Sequence, residues 1–370
     1  MLKTSYLRNT IGMVKLNLDK IKQYLQSLFK DEVSINKIEV LGKGWHAETW
    51  RIIAKVKDIE RSFVFKQLKG EAGFGHDYPS DRAAVLLMAH KDFNKLPNHV
   101  KSIDVGYIDN EGNLYSVGNF EEFFIIMEEV KGEPYINDLR RILRKGEASS
   151  MDYERLKMLV DYLVDIHKVK YSGDETSRKR LYLRRIRDLV GHGEMIFGVI
   201  DSAYPFDNPY RDKFIELEKL AIDWRWKLRQ YHHRLSQVHG DYHPFNIRFT
   251  EKNELIVMDR SRGEWGEPAD DVSCITINYL WFSLLHTGKF NGVFSQLFKT
   301  FMNDYIDKTG DEEMLKIIQP WYSFRAIVIA SPLFYPENPE HVRNALIRFA
   351  INVLKIDVFS TDIINDLIKE

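Results

Sequence analysis

The spacing of apolar residues separates a strand-rich beginning of the chain from a helical remainder. Leu18, Ile21 and Leu25 recur near helical spacing and predict an amphipathic helix over residues 15–29. Apolar and β-branched residues bounded by glycine and charge then predict three strands near 38–41, 49–56 and 62–68. A helix from Asp81 to about Ala89, capped by Ser80, and two strands near 103–109 and 123–130 follow. The first part therefore reads as a small antiparallel sheet with helices beside it.

Helical periodicity dominates after residue 134. One apolar stripe runs from Leu156 to Ile166 and ends at His167. Further helices are predicted around 178–190, 210–234, 271–287, 291–307, 311–330, 339–354 and 360–369. The one clear strand pair of this half lies within 238–259. We therefore predict an α+β fold of two parts, residues 1–130 and 131–370.

Composition narrows the class of protein. The 370 residues are long enough for two cores, and 53 basic against 54 acidic residues give no global field that would favour nucleic acid or a membrane surface. No apolar run reaches the length of a membrane span or a signal peptide. Cys274 is the single cysteine, which excludes an intramolecular disulfide and fits a reducing compartment. We expect a cytoplasmic protein without nucleic-acid or membrane partners.

Two acids and an amide carry the clearest chemical signal. Asp241 stands five residues before Asn246, and Asp259 follows Asn246 by thirteen residues at the end of the predicted strand pair. In phosphoryl transfer by kinase folds, such an Asp accepts the proton of the attacking hydroxyl, while the Asn and the second Asp hold Mg²⁺ against the ATP phosphates. Hard oxygen ligands suit Mg²⁺, and charge neutralisation is most of the catalytic task.

The residues around these three positions resemble a known family. His239-Gly-Asp-Tyr-His-Pro-Phe-Asn246 departs from the His-Arg-Asp of protein kinases, and Asp259 leads into Gly266-Glu-Pro268-Ala-Asp-Asp271. Both motifs are similar to those of the aminoglycoside phosphotransferase and choline kinase superfamily. The resemblance implies a protein-kinase-like two-lobe fold that uses ATP and Mg²⁺. It also implies that Asp241 is the catalytic base and that Asn246 and Asp259 are the metal ligands.

The same resemblance calls for a lysine that contacts the α- and β-phosphates. Lys66 lies among apolar residues in a predicted strand, which is the expected context. A helix carboxylate normally pairs with this lysine. Asp81 is the first candidate, although an acid in the first turn of a helix is also favoured by the helix dipole. Glu71 is the alternative.

Backbone groups should complete the nucleotide site. Gly42 and Gly44, between the first two predicted strands, would let N–H groups approach phosphate oxygens closely. By resemblance to the family, the carbonyl group of Glu128 and the N–H group of Val130 would face the adenine edge.

Several other polar residues are interpreted as structural. We predict that His167 is a satisfied core histidine and that His239 braces the catalytic loop. Asp271 is expected to cap the next helix or to order that loop. The basic side chains over 178–188 are read as a solvated helix face.

The acceptor is expected to be a small molecule carrying a hydroxyl group, such as a sugar, amino sugar or amino alcohol. Only eight residues separate Asp259 from Pro268, which leaves no platform for a peptide. His192, Glu194 and Glu267 are the candidate acceptor residues. Acids near the cleft would suit a cationic acceptor, whereas Arg248, Arg260 and Arg262 would suit an anionic one, so the charge of the acceptor stays open. A catalytically silent binding protein and an atypical protein kinase are the alternatives, and the oligomeric state is not predicted.

Overall fold

The chain divides into two compact units, Met1–Met127 and Glu128–Glu370. A computed structural model describes residues 17–43, 46–70, 74–95, 97–260 and 262–369. Small antiparallel sheets lie in both units, and the second unit is mainly helical. The predicted α+β class is confirmed.

The first unit is built on a three-stranded antiparallel sheet. Strands β1 (Val33–Lys43), β2 (Ala47–Val56) and β3 (Ile59–Leu68) pair in the order β1-β2-β3. Helix α1 (Leu18–Phe29) covers the sheet, and the Asn17 side chain caps it by accepting the backbone N–H of Asp19 at 2.8 Å. The helix and sheet share a core that includes Ile21, Leu25, Ile52, Ala54 and Phe63.

The remainder of this unit differs from the prediction in the start of its helix, in an unpredicted strand at Leu114–Ser116 and in the absence of a strand over 123–130. Helix α2 (Pro79–Phe93) begins one residue before the expected cap at Ser80, and the Asp81 carboxylate accepts the backbone N–H of Tyr78 at 2.7 Å. Strands β4 (Gly106–Ile108) and β5 (Leu114–Ser116) form a hairpin, but no strand forms over 123–130. An apolar run becomes a strand only when a neighbour supplies ladder hydrogen bonds. Within the described residues, 123–130 has no such neighbour, and Phe124–Met127 are exposed.

The second unit contains ten helices among its described residues, eight of them at or near predicted positions. The α-helices are α3 (Tyr135–Lys145), α4 (Ser150–His167), α5 (Glu175–Gly191), α6 (Ile196–Ala203), α7 (Arg211–Leu228), α8 (Pro268–Thr287), α9 (Gly292–Thr309), α10 (Gln319–Ala330), α11 (Glu340–Asn352) and α12 (Ile364–Leu367). Short 3₁₀ turns extend or connect some of them at Arg229–Arg234, Glu312–Lys316, Val353–Lys355 and Thr361–Ile363. No helix in the described ranges is both long enough and apolar enough to cross a membrane.

Helices α3 and α6 were not predicted. Helix α6 contains Gly198, which weakens the helical signal. A Cβ atom at Gly198 would lie 2.1 Å from the carbonyl oxygen of Gly193, so only glycine fits this position. Close packing therefore overrides the low intrinsic propensity of the segment.

Helix α8 is the centre of the second unit. Every residue from Pro268 to Leu284 is buried, and the helix packs against α9, α10 and α11. The second unit also contains two small antiparallel sheets. Strands β6 (Glu133–Pro134), β8 (Ile247–Phe249) and β9 (Leu255–Val257) form one, and β7 (Ser236–Gln237) pairs with β10 (Trp265–Gly266) in the other.

Candidate active site

The β8–β9 hairpin places the predicted metal ligands at one end. Ile247 lies opposite Val257, and the Met258 N–H donates to the carbonyl oxygen of Asn246 at 2.9 Å. Asp259 comes directly after this pair and adopts a left-handed φ of 62°, which Asp tolerates better than most residues. The Asn246 Nδ2 group donates to the carbonyl oxygen of Asp241 at 3.1 Å. The loop and the hairpin therefore bring Asn246 close to Asp241 and to Asp259.

A buried carboxylate holds the loop that precedes the hairpin. The two oxygens of Asp271 accept the backbone N–H groups of His239 and Gly240, each at 2.7 Å. Gly240 has a φ of 87°, a conformation that a side chain would strain. His167 lies 3.1 Å from Asp271 through Nε2, and this contact lowers the pKa of Asp271 against the effect of its burial.

The two histidines predicted to be structural have that role. His167 is buried, and its Nδ1 atom lies 2.8 Å from the Tyr305 hydroxyl oxygen. His239 contacts the Met258 carbonyl oxygen through Nε2 at 2.9 Å, and its Nδ1 atom accepts the Asp241 N–H at 3.2 Å. These contacts confirm that His239 braces the loop and that Asp271 orders it.

The Asp241 carboxylate is held by arginines. Its Oδ1 atom accepts from Arg325 Nη1 at 2.7 Å and lies 3.3 Å from Arg262 Nη1. Burial raises the pKa of Asp241, but the positive charges of Arg325 and Arg262, with His243, lower it to about 2. Burial also lowers the pKa of His243 to about 4, so this imidazole is neutral at pH 7. The Oδ2 atom of Asp241, 3.6 Å from His243 Nε2, is beyond hydrogen-bond distance from it.

A cavity of about 510 Å³ opens beside this carboxylate, entirely within the second unit. It brings together Asp241, Asp259 and Glu194 from three separate parts of the sequence. Most of the remaining lining is apolar or aromatic, with Arg262 and Arg325 as the cations; the wall includes Val199, Ile277, Phe324, Val328, Ile329, Phe334 and Tyr335. Glu194 is exposed and lies 3.8 Å from Arg262 Nε.

The other two candidate acceptor residues are not part of this lining. Glu267, expected to face the acceptor, is instead fully buried, accepts from Arg234 Nη2 at 2.9 Å and from the Tyr182 hydroxyl at 2.8 Å, and caps α8. Both of its oxygens are occupied by buried donors, so we assign Glu267 a structural role and propose no acceptor role for it. His192 is exposed after α5, where its Nδ1 atom accepts the Glu194 N–H at 3.2 Å.

Sequence reasoning missed Arg325. It is buried and also donates to Asp270 Oδ1 at 2.6 Å and to the Gly240 carbonyl oxygen at 3.0 Å. The far oxygen of Asp270 accepts from Arg185 at 2.6 Å, so the prediction of a solvated basic face over 178–188 is wrong for Arg185, which is buried. The available signal was that Arg325 is the one charged residue of α10, since a charge on an otherwise apolar buried helix requires a partner.

The candidate nucleotide residues are spread over both units. In the first unit, Gly42 pairs with Thr49 just after a register irregularity in β1, and Lys66 is exposed on β3 opposite Thr49. No ion pair joins Lys66 to any residue within the described ranges, so its pairing with Asp81 stays a prediction. Gly44 and Glu71 lie outside the described residues.

In the second unit, Glu128 and Val130 lie in a segment without helix or strand. Their contacts with adenine also stay predictions.

A comparison with models of known protein families agrees with the motifs. The family model APH, described as a phosphotransferase enzyme family, matches residues 37–288. No curated protein sequence matches the chain significantly. Similar solved structures include a choline kinase from Streptococcus pneumoniae, with 15% identity, 91% of this chain and 98% of that chain covered and a TM-score of 0.34. An amicoumacin kinase has 14% identity, 88% and 91% coverage and a TM-score of 0.41. A spectinomycin phosphotransferase has 12% identity, 93% and 98% coverage and a TM-score of 0.34.

The family match spans more than half of the chain and contains the loop of Asp241, the hairpin and the start of α8. The chain therefore belongs to the phosphotransferase enzyme family that its two motifs resemble.

Proposed function

We propose that this protein transfers the γ-phosphate of ATP, with Mg²⁺, to a hydroxyl group of a small molecule. The observation that carries the proposal is the cavity beside Asp241, because its wall also contains Asp259. In-line phosphoryl transfer needs an acceptor hydroxyl at one carboxylate and the phosphates near the metal ligands. One cavity that both carboxylates line meets this requirement.

Asp241 is the proposed base and orienting group. Arg325 fixes its Oδ1 atom, whereas Oδ2 has no hydrogen-bond donor among the described residues. Oδ2 is therefore the oxygen that would accept the acceptor hydroxyl. A pKa of about 2 makes Asp241 a weak base, so its main contribution would be orientation, with proton transfer late in the reaction.

The residues proposed to hold Mg²⁺ fit a hard cation. Asn246 uses its Nδ2 group within the loop, which leaves its Oδ1 atom as a ligand. Asp259 is exposed and forms no ion pair within the described ranges. Bound Mg²⁺ would neutralise the phosphate charge. Asn246 and Asp259 would orient it through oxygen ligands, as Mg²⁺ prefers.

The nucleotide contacts are proposed from the family resemblance. Lys66 would contact the α- and β-phosphates and pair with Asp81 or, failing that, with Glu71. Gly42 and Gly44 would offer backbone N–H groups to phosphate oxygens, and Glu128 and Val130 would bind adenine through their backbones. These assignments predict effects on the KM for ATP that are separate from effects on the acceptor.

The cavity supports a small acceptor rather than a peptide. Its volume of about 510 Å³ lies in the range of small-molecule sites, roughly 300–1,000 Å³. The short stretch between Asp259 and Pro268 also leaves no peptide platform. A sugar, amino sugar or amino alcohol would fit, with Glu194 at the wall as a candidate contact.

A screen of phosphoryl acceptors with ATP and Mg²⁺ tests this function. Sugars, amino sugars, amino alcohols and a peptide library would be compared by the formation of ADP and of phosphorylated product. We expect a small-molecule hit whose phosphorylation requires Asp241, with Asp241→Asn as the inactive control. Transfer to peptides alone, or neither transfer nor ATP hydrolysis with any acceptor, would refute the proposal.

A further inference from the structure

A cluster of charged groups stands at the wall of the cavity. Arg185, Arg262 and Arg325 share two carboxylates, those of Asp241 and Asp270. We call these three residues the arginine cluster.

The two deeper arginines of the cluster are paired. Arg325 joins Asp241 to Asp270 at 2.7 and 2.6 Å, and Arg185 holds the other oxygen of Asp270 at 2.6 Å. Their side chains are only 6% and 7% exposed. These buried guanidinium groups, held by two short carboxylate contacts in Arg325 and one in Arg185, are structural.

Arg262 differs from both. It lines the cavity and retains 16% of its side-chain exposure. Its Nη1 group shares Asp241 Oδ1 at 3.3 Å with the closer Arg325 and lies 3.3 Å from the Gly240 carbonyl oxygen. Its Nη2 group has no hydrogen-bond partner among the described residues, and its one other carboxylate neighbour is Glu194, which is 3.8 Å away and 67% exposed. Arg262 thus presents an unused donor at the cavity wall.

From this arrangement we infer that the cavity binds an anionic oxygen group at Arg262, next to the Asp241 carboxylate. A guanidinium group in a water-poor site attracts phosphate or carboxylate strongly, and its planar donors suit both. The role of this anion in the reaction rests on the proposed function. Under that function, the anion is either the transferring phosphoryl group or an acidic group of the acceptor.

The first test measures anion binding without any nucleotide. Thermal unfolding is followed with increasing inorganic phosphate, at constant ionic strength, for the wild type, Arg262→Gln, Arg262→Lys and Arg187→Gln. Arg187 is a half-exposed residue of α5 outside the cavity lining, so its substitution removes one charge as a matched control. We expect phosphate to raise the Tm of the wild type, Arg262→Lys and Arg187→Gln by a few degrees, and that of Arg262→Gln by less than half as much. Equal protection of Arg262→Gln and the wild type, or no protection of the wild type, would overturn the inference.

The second test identifies the source of the anion. Hydrolysis of Mg-ATP is measured without acceptor, so that water is the only nucleophile. A fall of roughly 10²–10³-fold in Arg262→Gln, partly restored in Arg262→Lys, would assign the anion to the transferring phosphoryl group. Unchanged hydrolysis with the phosphate effect intact would assign it to an acidic acceptor. If the wild type neither hydrolyses ATP nor transfers phosphate but keeps phosphate protection at Arg262, the proposed function fails and the anion site stands.

Discussion

Replacing Arg325 by methionine should both destabilise the protein and change how its activity depends on pH. Arg325 is buried and donates to Asp241, Asp270 and the Gly240 carbonyl oxygen at 2.7, 2.6 and 3.0 Å. Breaking a buried charge pair from one side typically costs about 3–5 kcal/mol, because the remaining carboxylates stay buried. For a domain the size of the Glu128–Glu370 unit, this corresponds to a loss of roughly 6–20 °C in Tm.

The effect on Asp241 has a definite sign. Burial raises the pKa of Asp241, and Arg325 is the largest of the groups that lower it to about 2. A carboxyl group whose pKa is lower in the folded than in the unfolded protein stabilises the fold at pH values above the unfolded pKa, near 3.8. That contribution is lost as the pH falls toward 2. The difference in the free energy of unfolding between the wild type and Arg325→Met should therefore be largest at pH 7 and become smaller below pH 4. In the variant the pKa of Asp241 should rise, so the acid limb of kcat/KM should move to higher pH.

Two assays and two controls test this reasoning. Thermal unfolding from pH 3 to 8 gives the stability difference, and kcat/KM for the acceptor found by the screen gives the acid limb. Arg325→Lys keeps the charge and should recover part of both. Arg187→Gln removes a half-exposed arginine of α5 outside the cavity lining and should leave both unchanged. An Arg325→Met protein with wild-type Tm and an unmoved acid limb would show that the ion pair does not set the state of Asp241.

Four further substitutions test the remaining assignments. Asp241→Asn should lower kcat by roughly 10²–10⁴-fold with the KM for ATP changed only a few-fold; near wild-type turnover would remove Asp241 from the role of base. Asp259→Ala should weaken Mg-ATP binding and abolish transfer together, which calorimetry with Mg-ATP and a transfer assay would separate from the Asp241 effect. Lys66→Ala should raise the KM for ATP and lower kcat without changing the Tm of the Glu128–Glu370 unit, and an unaltered ATP dependence contradicts its phosphate contact. Glu194→Gln should change the KM for the acceptor while basal ATP hydrolysis stays near wild type; an identical acceptor KM would place the acceptor contact elsewhere.

The local pattern of apolar and polar residues was sufficient to predict much of the secondary structure. Apolar spacing predicted helices such as α4 and α9, because an amphipathic stripe buries one face whatever it packs against. The intervals between Asp241, Asn246 and Asp259 predicted that these residues lie close together. A tight loop followed by a hairpin brings the chain back to the end of the hairpin where it began. Sequence alone therefore indicated the family and the three residues of the motif.

The local sequence pattern gave the wrong secondary structure where contacts with neighbours in space decide it. Residues 123–130 have strand-like composition, yet within the described chain they have no partner for ladder hydrogen bonds. Helix α6 has a weak helical signal but forms, because Gly198 packs against the Gly193 carbonyl group. In both cases the deciding contacts are not visible in the local composition.

The state of each carboxylate was decided by tertiary structure alone. Glu267 and Glu194 are both acids close to the motif region in the fold, but Arg234 and Tyr182 bury the first, while the second stays exposed at the cavity wall. Asp241 is recognisable from its motif, whereas its partner Arg325 is 84 residues away on helix α10. The charge of a site depends on which groups lose water and which opposite charges meet them. Those are properties of long-range packing, so the sequence by itself determined the chemistry of the motif, and the tertiary structure determined its electrostatic setting.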